Sequence, residues 1–316
     1  MEVTLCCPSC HSNLTNVQVN MLGCSNCGKA YPVVNSIPIL INEEKSVFSV
    51  SDYYDKGEAA KVAPTGGLKA GINKSIWFLQ RLAPNLILNL KAKENFALLS
   101  RMLLDKANKP KVLIIGGRTL GMGMQDFIKL PITFIEADIA FGPNTKIICD
   151  AHYLPFRDEE FDGVVIQAVM EYLVDPYQCA DEIHRVLKTD GLVYSETPFM
   201  QQVHGGPRDF IRVTYLGHRR LFRNFEEIAS GACVGTGSAL ATAYKHFLMS
   251  FSNKRFVQDL LMLFAVWTSF FLKYFDRISI SKRVTYDAAS GYYFLCRKSK
   301  NIISDKEILK LYRGNL

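Results

Sequence analysis

Two cysteine pairs, Cys7-Pro8-Ser9-Cys10 and Cys24-Ser25-Asn26-Cys27, stand 13 residues apart near the start of the chain. Two residues between cysteines let both thiolates of one turn face a single ion, and a second such turn completes a tetrahedron, the donor set of a structural zinc. Cys6 is an alternative ligand, although its wider spacing to Cys10 suits a tight turn less well. Four thiolates close the coordination shell, so such a site holds a fold together and performs no reaction. A second set is Gly116, Gly117, Gly121 and Gly123 in the stretch KVLIIGGRTLGMGM, residues 111–124. Glycines after a short apolar run let backbone approach a ligand closely and aim the N–H groups of the next helix at it. About 20 residues further on stands Asp138, where an acid at a strand end can accept both hydroxyls of a ribose. The plain alternative is a solvated acid. A third set is His204, Asp209 and Arg212. An imidazole titrates near neutrality and can act as a general base, with Asp209 and Arg212 orienting it or a substrate; equally, the three could only brace a glycine-rich loop.

These residues need particular elements to hold them. Lys111 to Ile115 reads as a strand, followed by strands at Ile132 to Glu136, Lys146 to Cys149, Phe161 to Gln167 and Leu192 to Glu196. Asp175-Pro176 is an N-cap with proline at the first helical position, and the helix it opens runs to a turn at Asp190-Gly191. Asn85 to Lys106 carries apolar residues at helical spacing and reads as a leading helix. Strand alternating with helix predicts a parallel sheet, with ligand bound at the carboxyl ends of its strands. Phe222 to Gly237 and Gly291 to Arg297 read as the last strands, the final one antiparallel. Before the cysteine pairs give way to this pattern, Tyr31 to Ile41 reads as two short strands around Asn35-Ser36. Residues 43–75 lack a period and read as linker.

The composition, 48% apolar and 21% charged, fits a globular chain, and a net charge of +7 permits an anionic partner without requiring one. No charged-then-apolar leader precedes MEVTLCC, so the protein is expected to stay in the cytoplasm, where cysteines at metal spacing suit a reducing compartment. Between the last two strands lies FLMSFSNKRFVQDLLMLFAVWTSFFLKYF, whose longest uncharged run is too short to span a bilayer. It reads as a buried helix, a homo-oligomer interface, or an amphiphilic lid in peripheral contact with a membrane through residues 256–275.

CPSC followed by CSNCGKAYPVVNSIPILI resembles the small zinc-ribbon family that activates methyltransferases or is fused to their N-termini. ICDAHYLPFRDEEFDGVVIQAVMEYLVDP with EIHRVLKTDGLVYSETPF resembles a class I S-adenosylmethionine-dependent methyltransferase of the broad small-molecule type. The resemblance implies an α/β fold: a Rossmann-like, mostly parallel seven-stranded sheet with helices on both faces, preceded by a zinc ribbon. The implied organisation is ribbon 1–45, linker and leading helices 46–107, methyltransferase domain 108–300 with an aromatic-rich insertion at about 238–285, and tail 301–316. Carried over, Gly116 and Gly117 flank the methionine part of the cofactor, with Gly121 in the same loop. Asp138 holds the ribose, Asp150 and Ala151 face the adenine, and Gln167 lines the cofactor floor. The family's acid two residues before the first loop glycine is here Ile114. Residues 196–214 resemble the H-x-x-P-x-D-x-x-R-x-T loop of methyltransferases associated with glycan and natural-product pathways. The expected acceptor is therefore a small or lipid-linked molecule methylated at oxygen or carbon. RNA methylation is a less favoured alternative, because basic residues are scattered. A third reading is a non-catalytic binding protein with a decayed cofactor site.

Overall fold

The computed structural model describes residues 3–54 and 82–315. Much of the expected linker, residues 55–81, lies outside the described residues. Eleven strands form one sheet in the order β1-β2-β3-β4-β7-β6-β5-β8-β9-β11-β10. Its parallel centre is β7 (Ile147–Cys149), β6 (Thr133–Asp138), β5 (Lys111–Ile115), β8 (Phe161–Gln167) and β9 (Leu187–Pro198). β11 (Gly291–Lys298) runs antiparallel between β9 and β10 (Phe225–Val234). These seven strands are the expected sheet. Order reverses at β5: the chain leaves it to build β6 and β7 on one side, then returns to build β8 and β9 on the other. A crevice opens at such a point, beyond the carboxyl ends of the strands.

The two faces of the sheet follow from alternation along β5. Val112 and Ile114 join one apolar cluster with Phe96, Leu99 and Leu103 of α1 (Ala92–Lys106) and Phe127 of α2 (Met124–Phe127). Leu113 and Ile115 join the opposite cluster, with Cys179, Ile183 and Val186 of α3 (Pro176–Val186) and Leu221 of α4 (Tyr215–Leu221). α3 begins as the Asp-Pro pair predicts: Asp175 Oδ1 accepts from the amides of Tyr177 and Gln178 at 3.0 and 3.1 Å.

The N-terminal unit is four antiparallel strands, β1 (Leu14–Gln18), β2 (Met21–Cys24), β3 (Ala30–Val34) and β4 (Ile37–Leu40). Asn35 and Ser36, both at positive φ, make the tight turn between the last two. β4 then pairs in parallel with β7, Ile39 opposite Ile148 and Leu40 opposite Cys149. The ribbon is therefore built onto the edge of the main sheet, with Ile39, Leu40 and Ile41 fully buried.

Some elements depart from the sequence reading. α1 starts at Ala92 rather than Asn85, because Asn89 Oδ1 caps the amides of Lys91 and Ala92 and its backbone bridges to Val234. Leu86 instead packs under the inserted helices with Ala241 and Val266. The expected turn at Asp190-Gly191 is a kink inside β9: pairing jumps from Phe161 opposite Leu187 to Gly163 opposite Leu192, and Asp190 sits at φ +60°. The insertion folds as α5 (Thr236–Met249), α6 (Arg255–Ser269) and α7 (Leu272–Ser279), then α8 (Thr285–Ala288). Asp276 of α7 is fully buried and accepts from the Gly237 and Ser238 amides at 2.7 and 3.1 Å, tying α7 to the first turn of α5. The tail docks on the main domain: α9 (Asp305–Leu309) buries Ile308, and Arg313 pairs with Glu227 at 2.8 Å.

Candidate functional site

Cys7, Cys10, Cys24 and Cys27 bring their four sulfurs within 4.8 Å of one another. A tetrahedral ion about 2.3 Å from each sulfur would set them about 3.8 Å apart, so the thiols fit such an ion with little movement. The shorter edges are 3.4 Å between Cys10 and Cys24 and 3.6 Å between Cys7 and Cys27, and the Tyr31 hydroxyl lies 3.1 Å from Cys7 Sγ. Cys6, the alternative ligand, is outside this group; its amide donates to Pro155 O and docks the ribbon on the main domain.

The crevice at the carboxyl ends of β5, β6 and β8 is a cavity of about 740 Å³. Gly116 makes the sharp exit from β5 at φ +80°, and a β carbon there would fall 2.3 Å from Val169 Cγ2. The amides of Gly116 and Gly117 both donate to Ala137 O, at 2.9 and 3.0 Å, which fastens the loop to β6. Gly116, Gly121, Asp138, Asp150, Ala151 and Gln167 all line the cavity, as does the apolar Ile114. Gly117 lies behind the wall, packed against Glu136.

Asp138 at the end of β6 accepts from the Arg118 amide at 3.0 Å and the Ala140 amide at 2.9 Å. Burial raises its carboxyl above the ordinary value, against the pull of those amides. Asp150, just past β7, is nearly fully buried. Its Oδ1 accepts from His152 Nδ1 at 2.5 Å and from the His152 amide at 3.0 Å, and its Oδ2 accepts from the Ser46 hydroxyl at 2.5 Å. The Asp175 amide donates to His152 Nε2 at 3.1 Å, which makes Nδ1 the protonated nitrogen. Burial pushes Asp150 up, yet the donors from His152 and Ser46 win and hold it below the usual carboxylate range. Ser46, with Val47 and Phe48, brings the end of the N-terminal unit into the cavity wall.

The loop after β9 covers the mouth. His204 and Gly205 line the cavity beside Tyr172, and Arg208 stacks over Phe48 with its guanidinium 5.1 Å from the ring centre. Asp209 and Arg212 do not reach the cavity. They form a two-pronged ion pair, Arg212 also donates to the Gln201 carbonyl at 2.9 Å, and Asp209 Oδ2 accepts from the His204 and Gly205 amides at 2.9 and 3.2 Å. Arg212 holds the Asp209 carboxyl far below its ordinary value. This pair sets the shape of the loop and thereby the place of His204.

Sequence reasoning missed Glu171. It stands in a short 3-10 turn after β8, is 1% exposed, and neither carboxylate oxygen has a hydrogen-bond partner. Its Oε1 is 3.5 Å from His204 Nε2, an ion-pair distance without hydrogen-bond geometry. The carboxylate raises the proton affinity of His204 above that of ordinary imidazole, and burial opposes it. His204 Nδ1 lies 3.1 Å from Gln202 O, so both ring nitrogens face acceptors and the charged form is favoured. An acid one turn past a strand end was the available signal, but such acids are common on helix starts.

Residues 133–195 match the family model described as methyltransferase domain, and residues 4–36 match that of the Trm112p-like proteins. The chain thus carries a methyltransferase domain behind a Trm112p-like one. No curated protein matches it. Among solved structures it is similar to a protein described as a sarcosine dimethylglycine methyltransferase from Galdieria sulphuraria, at 15% identity over 73% of this chain and 100% of that one, TM-score 0.46. It is similar to the Burkholderia thailandensis 1,6-didemethyltoxoflavin-N1-methyltransferase at 10% identity over 90% and 99% of the two chains, TM-score 0.38. It is also similar to the complex of the Haloferax volcanii Trm112 methyltransferase activator with a methyltransferase, at 13% identity over 73% and 100%, TM-score 0.37. Likeness this distant says nothing of substrate.

A nitrogen-15 NMR titration of the imidazoles should place His204 above the ordinary value near 6.5. Glu171→Gln removes the charge that favours the imidazolium, so its titration should move to lower pH. An unchanged midpoint would separate Glu171 from His204.

Proposed function

We propose that the protein is an S-adenosylmethionine-dependent methyltransferase that modifies a hydroxyl or carboxyl oxygen, or a carbon, of a small or lipid-linked acceptor. The observation that carries the reading is one cavity in which Gly116, Asp138 and Asp150 line the strand ends while His204 and Tyr172 stand at its mouth. Bound S-adenosylmethionine would supply an electrophilic methyl group on a sulfonium for in-line transfer to the acceptor. Asp138 receives the ribose hydroxyls in this reading. Asp150 receives the adenine amine on Oδ2, beside the Ser46 hydroxyl. His204 orients an acidic acceptor when charged and takes the proton of a hydroxyl when neutral. β8 ends at Gln167 and is followed by Ala168-Val169-Met170, with none of the Asn/Asp-Pro-Pro-aromatic element common among amino-group methylators, which supports oxygen or carbon as the accepting atom.

The four thiols hold zinc in the same reading, as a structural ion of the ribbon, and the chain divides into ribbon 1–45, connecting segment 46–107, methyltransferase domain 108–300 and tail 301–316. The protein works in the cytoplasm against a membrane surface. The observation favouring that contact is a stripe along α6 and into the start of α7: Phe256, Leu260, Phe264, Trp267 and Phe271, each 45–57% exposed. Residues 240–284 hold seven lysines and arginines against two aspartates, which suits anionic headgroups around a shallowly inserted apolar face. Among the described residues no single helix is long and apolar enough to cross a membrane; α6 and α7 pass only as a pair bent by 44°.

Calorimetric titration with S-adenosylmethionine should show saturable binding, and Asp138→Ala should weaken it by about 1.5–3 kcal/mol, the worth of a charged hydrogen bond. An unaltered affinity would remove Asp138 from the cofactor site. Elemental analysis of purified protein should find one zinc per chain, with Cys24→Ser losing it and melting at lower temperature; full metal content in the variant would clear the thiols of a ligand role. Sedimentation with vesicles of phosphatidylcholine and phosphatidylserine should carry the protein down at low salt, and Phe264→Ser with Trp267→Ser should abolish it. Concentration-dependent dimerisation without vesicle binding would assign the stripe to a second copy instead.

A further inference from the structure

The carboxyl ends of β8 and β9 hold a polar cluster that the roles above leave unused. Glu196 of β9 is register partner to Gln167 of β8 and is 6% exposed. Its carboxylate accepts from Asn89 Nδ2 at 2.9 Å, from Gln167 Nε2 at 2.8 Å and from the Tyr194 hydroxyl. All three donors are neutral, and among the described residues no lysine, arginine or histidine forms an ion pair with Glu196. Burial pushes its carboxyl above the ordinary value, against those donors. A buried carboxylate ordinarily sits with a cation.

Gln167 points to where that cation belongs. Its amide nitrogen donates to Met122 O at 3.1 Å as well as to Glu196, which uses both hydrogens and fixes the flip of the amide. Its Oε1 is consequently turned toward the glycine loop, so close to Gly121 that a β carbon there would fall 1.7 Å away. That oxygen is buried and has no hydrogen-bond partner. Donation from the same amide to Glu196 polarises it and makes Oε1 a stronger acceptor. Ile114 pairs with Val165, two residues before Gln167, so Gln167 lies one strand over and on the same face of the sheet. Ile114 itself offers no charge.

We propose that Gln167 and Glu196 form a subsite for a primary ammonium group, the α-ammonium of the cofactor's methionine part. Gln167 Oε1 accepts the hydrogen bond, and Glu196 supplies the countercharge as a positioning residue acting through the Gln167 amide. The inference rests on the cofactor reading given above.

The test uses the full chain and two ligands, S-adenosylhomocysteine and its analogue lacking only the amino group. Neither carries a sulfonium, so the ammonium is the one cationic difference between them. Calorimetry on the wild type should show the amino-bearing ligand binding at least about tenfold tighter, as a charge-assisted hydrogen bond implies. In Glu196→Gln that ratio should collapse toward one while the analogue binds as it does to the wild type. Gln167→Leu, on the cavity wall, should give the same collapse and serves if Glu196→Gln fails to fold, as judged by its thermal melt. A ratio preserved in both variants, or both ligands weakened equally, would overturn the subsite alone. Failure of either ligand to bind the wild type would overturn the cofactor reading and the subsite with it.

Discussion

Backbone hydrogen bonds between β5 and β8 decide where the rest of this molecule can sit. They place side by side two strands from which, among the described residues, the connections depart to opposite sides, and a crevice opens beyond their carboxyl ends. Every group assigned to the cavity is hung from that opening. Gly116 turns away from it at a backbone conformation that a side chain would both strain and block. Asp138 stands one strand to one side, Gln167 and Glu196 on the strands to the other, and the loop carrying His204 falls across the mouth.

The N-terminal unit solves a different problem. A parallel sheet ending at β7 would present unpaired backbone along an exposed edge. β4 takes those hydrogen bonds, and the chain that follows delivers Ser46 to Asp150 and Phe48 to the stack with Arg208. The ribbon is thus an edge cover and a contributor to the cavity wall, with its cysteine cluster beside the carboxyl end of β4, where Asn42 Nδ2 donates to Pro8 O at 3.4 Å.

Local chemistry was legible in the sequence, and long-range pairing was not. Cysteine spacing, the glycine loop, the Asp175-Pro176 cap and the strand ending in Asp138 are decided by residues within a few positions of one another. Ser46, Glu171 and Glu196 become meaningful only through partners 104, 33 and 107 residues away, at Asp150, His204 and Asn89. The same limit explains the misplaced start of α1. Leu86 and Leu88 keep helical spacing with the residues after them, yet packing under the inserted helices and the Asn89 cap outcompete that period. At Asp190-Gly191 a turn-forming pair met a sheet that continues on both sides, and the outcome is a kink. Ile114 stood out in the sequence as a departure from what the resemblance implies, and it lines the cavity as an apolar residue.

The join between β4 and β7 has a thermodynamic consequence. Leu40 pairs with Cys149, and Asp150 is the next residue. Groups held in one ladder of hydrogen bonds and one apolar core open together rather than singly. Loosening of the β4–β7 edge would therefore also release Asp150 from its place in the cavity wall.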